Sequence, residues 1–229
     1  MKAIAIIPAR GGSKRIPGKN IIDFGGRPMI AWTIQAALDS GIFNKVLVST
    51  DSAEIAEISI HHGALVPFLR KNNADDMTPA SQATLSSLVQ AEKHWDTNFD
   101  TVVQLMPNCP LRTAKDIRES MNIFTERASK FQISVFRYGW MNPWWAMTVD
   151  KVGIPERLFE SASQNRSQDL EALYCPTGAI WIAKRESLIA ADTFYGPGYR
   201  VNELSWLSAI DIDDEGDLAM AQCALALNV

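Results

Sequence analysis

The chain has 229 residues, 47% of them hydrophobic and 21% charged, an ordinary globular composition far from the disordered and collagen-like extremes. Surface scaling takes ~36,800 Å² of extended chain to ~10,300 Å² on folding, so about 70% is buried and neither a disulfide framework nor a structural metal is needed for stability. A formal net charge of −4 argues against nucleic acid as the main partner, because phosphate-backbone binding wants a basic face, and any anion site must be local.

Lys2 to Ala9 (KAIAIIPA) is a nearly continuous apolar run, the mark of a strand buried on both faces of a parallel sheet. A loop from Arg10 to Asn20 follows, then an amphipathic helix from about Pro28 to Leu38. The strand Lys45–Thr50 leads to Asp51, which is placed to cap a helix running to about His62. A helix over about Pro79–His94 precedes the strand Thr101–Met106. Thr113 to Asp116 then reads as the capping sequence of a helix to about Arg127, before the strand Gln132–Phe136. Strands alternating with helices at this spacing predict one α/β domain over residues 1–229, a Rossmann-like, doubly wound and mostly parallel sheet with helices on both faces.

The rhythm fails between Gly139 and Asn165, where Trp140, Trp144 and Trp145 sit among prolines with no clean period, so an excursion from the sheet is expected. Regularity returns with the strand Gly178–Ala183, a short helix near Arg185–Ala191, the segment SAIDID and a last helix over about Asp214–Ala226. Cys109, Cys175 and Cys223 are widely spaced with no CxxC pair, which predicts free thiols in a reducing compartment and hence a cytoplasmic protein. The N-terminal apolar run breaks at Pro8 and Arg10, too short for a signal-peptide core. No stretch approaches 18 uncharged apolar residues, so no membrane span is expected.

Two segments carry chemistry. Arg10 to Asn20 gathers four cations (Arg10, Lys14, Arg15, Lys19) and no acid into eleven residues. Backbone N–H groups of Gly11, Gly12 and Ser13 can turn toward an anion, since glycine accepts positive φ, and the side chains add charge. After the first strand of a doubly wound sheet, such a loop suits a polyphosphate; the alternative is an exposed loop whose charges are merely solvated. It is neither a Walker A loop, because Gly12 to Gly18 is one residue too long and Asn20 stands where Ser/Thr belongs, nor a GxGxxG turn. Near the other end, Ala209-Ile-Asp-Ile-Asp213 read as a strand sets Asp211 and Asp213 on one face, ~6.5–7 Å apart, with Ile210 and Ile212 turned to the core. Such a carboxylate pair, completed by substrate phosphates and water, suits Mg2+. Asp214 and Asp217 read instead as acids at a helix N-terminus. His61, His62 and His94 lie at helix ends away from these segments, so no histidine triad or metal site is expected, and Met29 and Met77 read as core.

The segments ARGGSKRIPGKN (9–20), VSTDSAEIAE (48–57), VPFLR (66–70), PLRTAKDI (110–117), RSQDL (166–170), GAIWIAKRESL (178–188) and SAIDIDDEGDL (208–218) resemble, in order and over nearly the whole chain, the acylneuraminate (CMP-sialic acid synthetase) cytidylyltransferases. The resemblance implies an enzyme that transfers CMP from CTP to the anomeric hydroxyl of a nine-carbon acidic sugar, an N-acylneuraminate, and releases pyrophosphate. It implies a nucleotide site at Ala9, Arg10, Gly11, Gly12, Ser13, Lys19, Asn20, Arg70 and Ser81, with Arg10 and Lys19 on the triphosphate and Asn20 on cytosine or ribose. Arg10, Lys19 and Asp211 would be the catalytic groups, and Mg2+ would sit on Asp211 and Asp213. CTP carries about four negative charges, which Arg forks and Lys point charges neutralise in complementary ways.

The chain departs from the sialic-acid pattern where Gln-Pro-Thr-Ser-Pro is replaced by Met106-Pro-Asn-Cys-Pro110 and Asn-Gly by Thr177-Gly178, while RSQDLE is nearer the pseudaminic acid cytidylyltransferases. Sugar contacts are expected at Met106, Arg166, Gln168 and Thr177, with Arg166 meeting the carboxylate. The same reaction on pseudaminate or another nonulosonate is the alternative, and a catalytically silent nucleotide-binding module is the alternative of another class. Family members dimerise through an excursion of the 139–165 kind, which implies a homodimer with the tryptophans used in packing.

Overall fold

The computed structural model describes residues 1–70 and 79–227; Met77 lies outside them. The first strand, β1 (Ala3–Pro8), is buried along its whole length. Its alternate residues feed two cores: Ala3, Ala5 and Ile7 join one cluster, Ile4 and Ile6 the other. That is why the run is continuously apolar rather than alternating. After the glycine loop come a two-residue hairpin, β2 (Asp23–Phe24) with β3 (Arg27–Pro28), and helix α1 (Met29–Ser40). Strand β4 (Lys45–Ser49) pairs in parallel with β1 on one side. The chain then runs through α2 (Ala53–His61) and α3 (Ala80–Trp95) to β5 (Thr101–Gln104), which pairs in parallel on the other side of β1.

Helix α4 (Ala114–Glu126), β6 (Phe131–Arg137), a small exposed hairpin of β7 (Met147–Val149) and β8 (Pro155–Arg157), then β9 (Tyr174–Lys184), α5 (Arg185–Ala191), β10 (Arg200–Glu203) and α6 (Glu215–Leu227) complete the described chain. The main sheet has six strands in the order β10-β6-β9-β5-β1-β4. Every pairing is parallel except those of β9, which runs antiparallel between β5 and β6 with a register shift at Ile133/Ser134. Helices α1 and α4 pack on one face through Ile30, Ile34, Ile117 and Phe124; α3 and α5 pack on the other through Leu88 and Leu188. A third cluster seats α6 by Ala221 and Ala224 against Phe24, Met29, Ile210 and Ile212. Among the described residues no helix is long and apolar enough to cross a membrane.

Two expectations are corrected. Helix α2 is capped by Ser52, whose side chain accepts from the Ile55 N–H at 3.4 Å, and not by Asp51, whose carboxylate instead accepts the Gly11 N–H at 2.8 Å. A short hydroxyl one residue closer reaches the helix N–H, and the freed carboxylate ties the glycine loop to the strand-β4 exit. The segment 209–213 forms no strand: Ala209 closes a turn and the residues after it pair with no sheet. Its main chain pairs locally, Ile212 N–H to Asn108 O at 2.8 Å and Ile210 N–H to Leu207 O at 3.3 Å. The alternation of Ile210 and Ile212 into the core survives, because burial beneath α6 imposes it without a ladder. The sequence pattern does not foresee the strand β10 or the two short hairpins, whereas Thr113 and Asp116 form the expected reciprocal capping box at the start of α4.

Candidate active site

The strand order reverses direction at β1, with β4 on one side and β5 on the other, so the loops leaving β1 and β5 diverge and open a crevice at their carboxyl ends. A cleft of about 500 Å³ lies there, lined by Pro8, Arg10 and Ser13–Ile16 from the first loop and by Met106–Asn108 from the second, with Lys19, Asn20, Arg70 and Asp213.

The cationic loop is held from both ends. Gly11 donates to Asp51, and a Cβ at Gly11 would come within 3.2 Å of Ser52 Cβ, so close approach accounts for this glycine. Its N–H is therefore engaged with Asp51, a correction to the expectation that it faces an anion. The positive φ lies at Gly18 (63°), where the chain turns into the short 3-10 segment Lys19–Ile21. Asn20 is buried and its Nδ2 donates to Arg10 O at 2.9 Å, which folds the loop back on its own start.

Lys19 makes the decisive bridge. Its Nζ donates to Ile212 O at 2.8 Å and Asp213 Oδ1 at 3.1 Å, across 193 positions of sequence. Arg15 NH2 reaches Asp213 Oδ2 at 2.9 Å. Asp213 loses some hydration, but hydrogen bonds and charge from Lys19 and Arg15 outweigh that and hold its carboxyl below the usual range. Asp211 behaves oppositely: loss of water, then the neighbouring Asp213 charge, raises its pKa to about 6. Asn108 Nδ2 donates to the Asp211 carboxylate, and the Lys19 charge and the nearby Gly178 N–H offset part of the rise. A Cβ on Gly178 would lie 2.7 Å from Met106 Cγ and 3.7 Å from Asp211 Oδ2, so only glycine lets these side chains approach together.

Arg70 is only 5% exposed, and its Nε and NH1 are buried with no partner among the described residues. Burial lowers its pKa, Asp51 opposes that fall and Arg10 adds to it. The guanidinium thus stands at the wall of the cleft beside Arg10.

The structure thus brings Arg10, Ser13, Lys19, Asn20, Arg70, Met106 and Asp213 to one cleft, with Asp211 joined to it through Asn108. Ala9 and Ser81 are buried behind the lining, and Gly11 and Gly12 stay outside it. Thr177 is 4% exposed with its hydroxyl donating to Ala209 O at 3.0 Å, so it faces inward and not the cleft. Arg166 and Gln168 are exposed away from the lining, Arg166 being ion-paired with Asp169 at 2.9 Å. Arg15 and Asn108 are site residues that the motif reading did not nominate. The cation count flagged Arg15, whereas only the tertiary pairing reveals Asn108.

A family model described as cytidylyltransferase matches residues 4–200. The chain belongs to the cytidylyltransferase family. It is accordingly a CTP-dependent nucleotidyltransferase. This cytidylyltransferase is 34% identical over 230 residues to a pseudaminic acid cytidylyltransferase of Campylobacter jejuni, covering 100% of this chain and 98% of the relative. It is 35% identical over 238 residues to a CMP-N,N'-diacetyllegionaminic acid synthase of Legionella pneumophila, with the same coverage of 100% and 98%. The fold is that of a CMP:2-keto-3-deoxy-manno-octonic acid synthetase solved with CTP, at a TM-score of 0.74, 17% identity and 100% coverage of both chains.

Proposed function

We propose that this cytidylyltransferase transfers the cytidylyl group of CTP to the anomeric hydroxyl of a nine-carbon 2-keto sugar acid, of the pseudaminate or legionaminate kind. The observation that carries the reading is the Lys19 bridge, which joins the cationic loop to the acidic segment on one cleft. The two relatives matched over their full length act, by name, on such acids.

In this reading Arg10, Lys19 and Arg70 neutralise the triphosphate, and their fixed charge stabilises the pyrophosphate as it leaves. The acceptor oxygen attacks the α-phosphorus, the bond from that phosphorus to its bridging oxygen breaks, and the electron pair departs with pyrophosphate. The hydroxyl proton passes to solvent, since the histidines sit at helix ends outside the cleft lining. Two mutually repelling carboxylates form a donor set that fits Mg2+, which favours one or two carboxylates plus phosphate oxygens and water over an all-protein cage. Asp211 and Asp213 would hold that ion, and with it positive charge against the phosphate oxygens. Both Asp213 oxygens are engaged, one by Lys19 and one by Arg15, so binding there exchanges one ion pair for the metal.

On the sugar side, Met106 supplies an apolar wall where sialic-acid enzymes have a polar residue. Arg166 meets the sugar carboxylate after exchanging its Asp169 partner, with Gln168 beside it in sequence. Thr177 acts from behind, by holding Ala209. Residues 139–165 serve as the dimer arm: Trp140 is 85% exposed, Val149, Val152, Ile154 and Leu158 are also exposed, and the turn between the arms is fixed by Asp150 Oδ1 accepting from Val152 and Ile154 N–H at 2.9 and 2.8 Å. The three free thiols suit the reducing cytoplasm.

The test is pyrophosphate release from CTP and Mg2+ with pseudaminate, N,N'-diacetyllegionaminate and N-acetylneuraminate in turn. A preference for one of the first two of at least ~10-fold in kcat/KM over N-acetylneuraminate is expected, the scale of one mismatched pocket contact. A folded protein that binds CTP and releases no pyrophosphate with any of them would instead be a silent nucleotide-binding module.

A further inference from the structure

The peptide that joins Arg10 to Gly11 is held at both of its polar atoms. Its N–H donates to Asp51 Oδ1 at 2.8 Å, and its carbonyl, Arg10 O, accepts from Asn20 Nδ2 at 2.9 Å. Asn20 is buried, so that anchor is fixed, and the direction in which the chain leaves Arg10 turns on the second anchor, Asp51. Just beyond, Gly11 O accepts the Ser13 N–H at 3.1 Å. Arg10 and Ser13, which flank this turn, line the cleft, while Gly11 and Asp51 stand outside the lining.

Asp51 belongs to the exit of β4, and the same exit holds the main chain at Arg70. Thr50 O accepts the Arg70 N–H at 2.7 Å, and Ser49 O accepts the Ala9 N–H at 2.9 Å. Residues 49–51 therefore set the backbone at both Arg10 and Arg70. Asp51 is not spent on the helix that follows, since Ser52 caps α2. Its charge is also adverse to an anion: it stands near enough to Arg70 to oppose the fall of that guanidinium's pKa, and so near enough to repel a triphosphate. An acid in that place favours anion binding only through the geometry it imposes.

We propose that Asp51 is a positioning residue for the triphosphate: by accepting the Gly11 N–H at the β4 exit, where the Arg70 main chain is also held, it sets Arg10 and Ser13 at the spacing from Arg70 that a polyphosphate bridges. The hydrogen bond does this, and the charge does not. The inference rests on the reading above that puts the CTP triphosphate in this cleft.

The experiment compares Asp51→Ala and Asp51→Asn with the unaltered protein by calorimetric titration with CTP and Mg2+ in the absence of acceptor, and by steady-state kinetics, with Lys19→Met as the reference for the cleft. Asp51→Ala is expected to weaken CTP binding by ~10-fold or more, the scale of a small misplacement of binding groups, while KM for the sugar stays within ~2-fold. Asp51→Asn keeps an acceptor for the Gly11 N–H and drops the charge, so it should bind CTP within ~3-fold of the unaltered protein. CTP affinity of Asp51→Ala within ~2-fold of normal overturns the proposal. So does an Asp51→Asn as weak as Asp51→Ala, which would assign the effect to charge, and so does a joint rise of both KM values with a lowered melt, which would mark general loosening. If Asp51→Ala does not fold, Gly11→Ala decides: its Cβ would meet Ser52 Cβ at 3.2 Å and push the same peptide off Asp51, weakening CTP by ~5-fold or more, and normal affinity again overturns the proposal. A Lys19→Met that binds CTP normally brings down the cleft reading and this proposal together, whereas a weakened Lys19→Met beside a normal Asp51→Ala brings down this proposal alone.

Discussion

Replacing Lys19 by methionine keeps the length and apolar stem of the side chain and removes its charge and its donors. Two of those donors are engaged, with Ile212 O at 2.8 Å and Asp213 Oδ1 at 3.1 Å. A charged donor on a backbone carbonyl contributes about 1.5–3 kcal/mol. The Asp213 pair adds about 0.2–1 kcal/mol, because Asp213 is half exposed and keeps Arg15 as a partner. A structural loss of about 2 kcal/mol follows, which lowers the melting temperature by roughly 4–8 °C for a domain of this size. Against a total stability of about 5–15 kcal/mol, the folded state remains dominant at 25 °C. The catalytic loss is larger: removing one group that stabilises developing charge costs ~10²–10³ in rate, or about 2.7–4 kcal/mol. Lys19→Met should therefore turn over at less than a hundredth of the normal rate while remaining folded, with Lys19→Arg recovering part of the rate. Pyrophosphate release at saturating CTP and acceptor, run beside a thermal melt, separates the two effects. Turnover of Lys19→Met within tenfold of normal would refute the reasoning.

Gly178→Ala forces a Cβ to 2.7 Å from Met106 Cγ; the overpacking should destabilise by about 1–3 kcal/mol and displace the Met106–Asn108 turn, so kcat falls more than CTP affinity, and a fully active variant with a normal melt counts against this account of the glycine. Glu92 is buried, pairs with Arg185 at 2.7 and 2.9 Å and accepts the Phe99 N–H at 3.1 Å. Discounting for the partly exposed Arg185, Glu92→Gln should cost about 2 kcal/mol, seen as a melting temperature lower by roughly 4–8 °C with kcat unchanged, since the pair lies at the opposite end of β5 from the cleft; a kcat deficit without a melting shift contradicts it. Burial, reinforced by the Asp211 charge, pushes the Cys109 thiol far up, so its thiolate stays negligible even as pH is raised to about 9. Iodoacetamide should label the exposed Cys223 of the native protein and leave Cys109 unmodified, as peptide mass mapping can check, and comparable labelling rates would mean Cys109 is not so enclosed.

Where a feature depends on a few neighbouring residues, it was legible in the chain. The Thr113–Asp116 capping box, the doubly buried first strand and the unbalanced charge of Arg10–Lys19 all declare themselves locally. Where it depends on which of two adjacent groups finds a distant partner, it was not. Asp51 and Ser52 are both competent caps, and the choice went to Ser52 because Asp51 is engaged by the Gly11 N–H, 40 residues away. Thr177 looked like a sugar contact by its place in a motif, yet its hydroxyl is taken by Ala209 O. Asn108 stood only as one changed position in the Met106–Pro110 turn, and its contact with Asp211 needed the fold to bring the two together.

The sequence by itself determined the alternation of the main strands and helices, the family resemblance and the two chemically loaded segments, because periodicity, caps, motifs and charge runs are short-range properties of the chain. Only the tertiary structure decided that β9 enters antiparallel between β5 and β6, that Asp211 and Asp213 stand on an unpaired stretch rather than a strand, and that Lys19 closes on Asp213. Those outcomes turn on pairing between residues remote in sequence, where burial and hydrogen-bond satisfaction are settled by the whole fold at once.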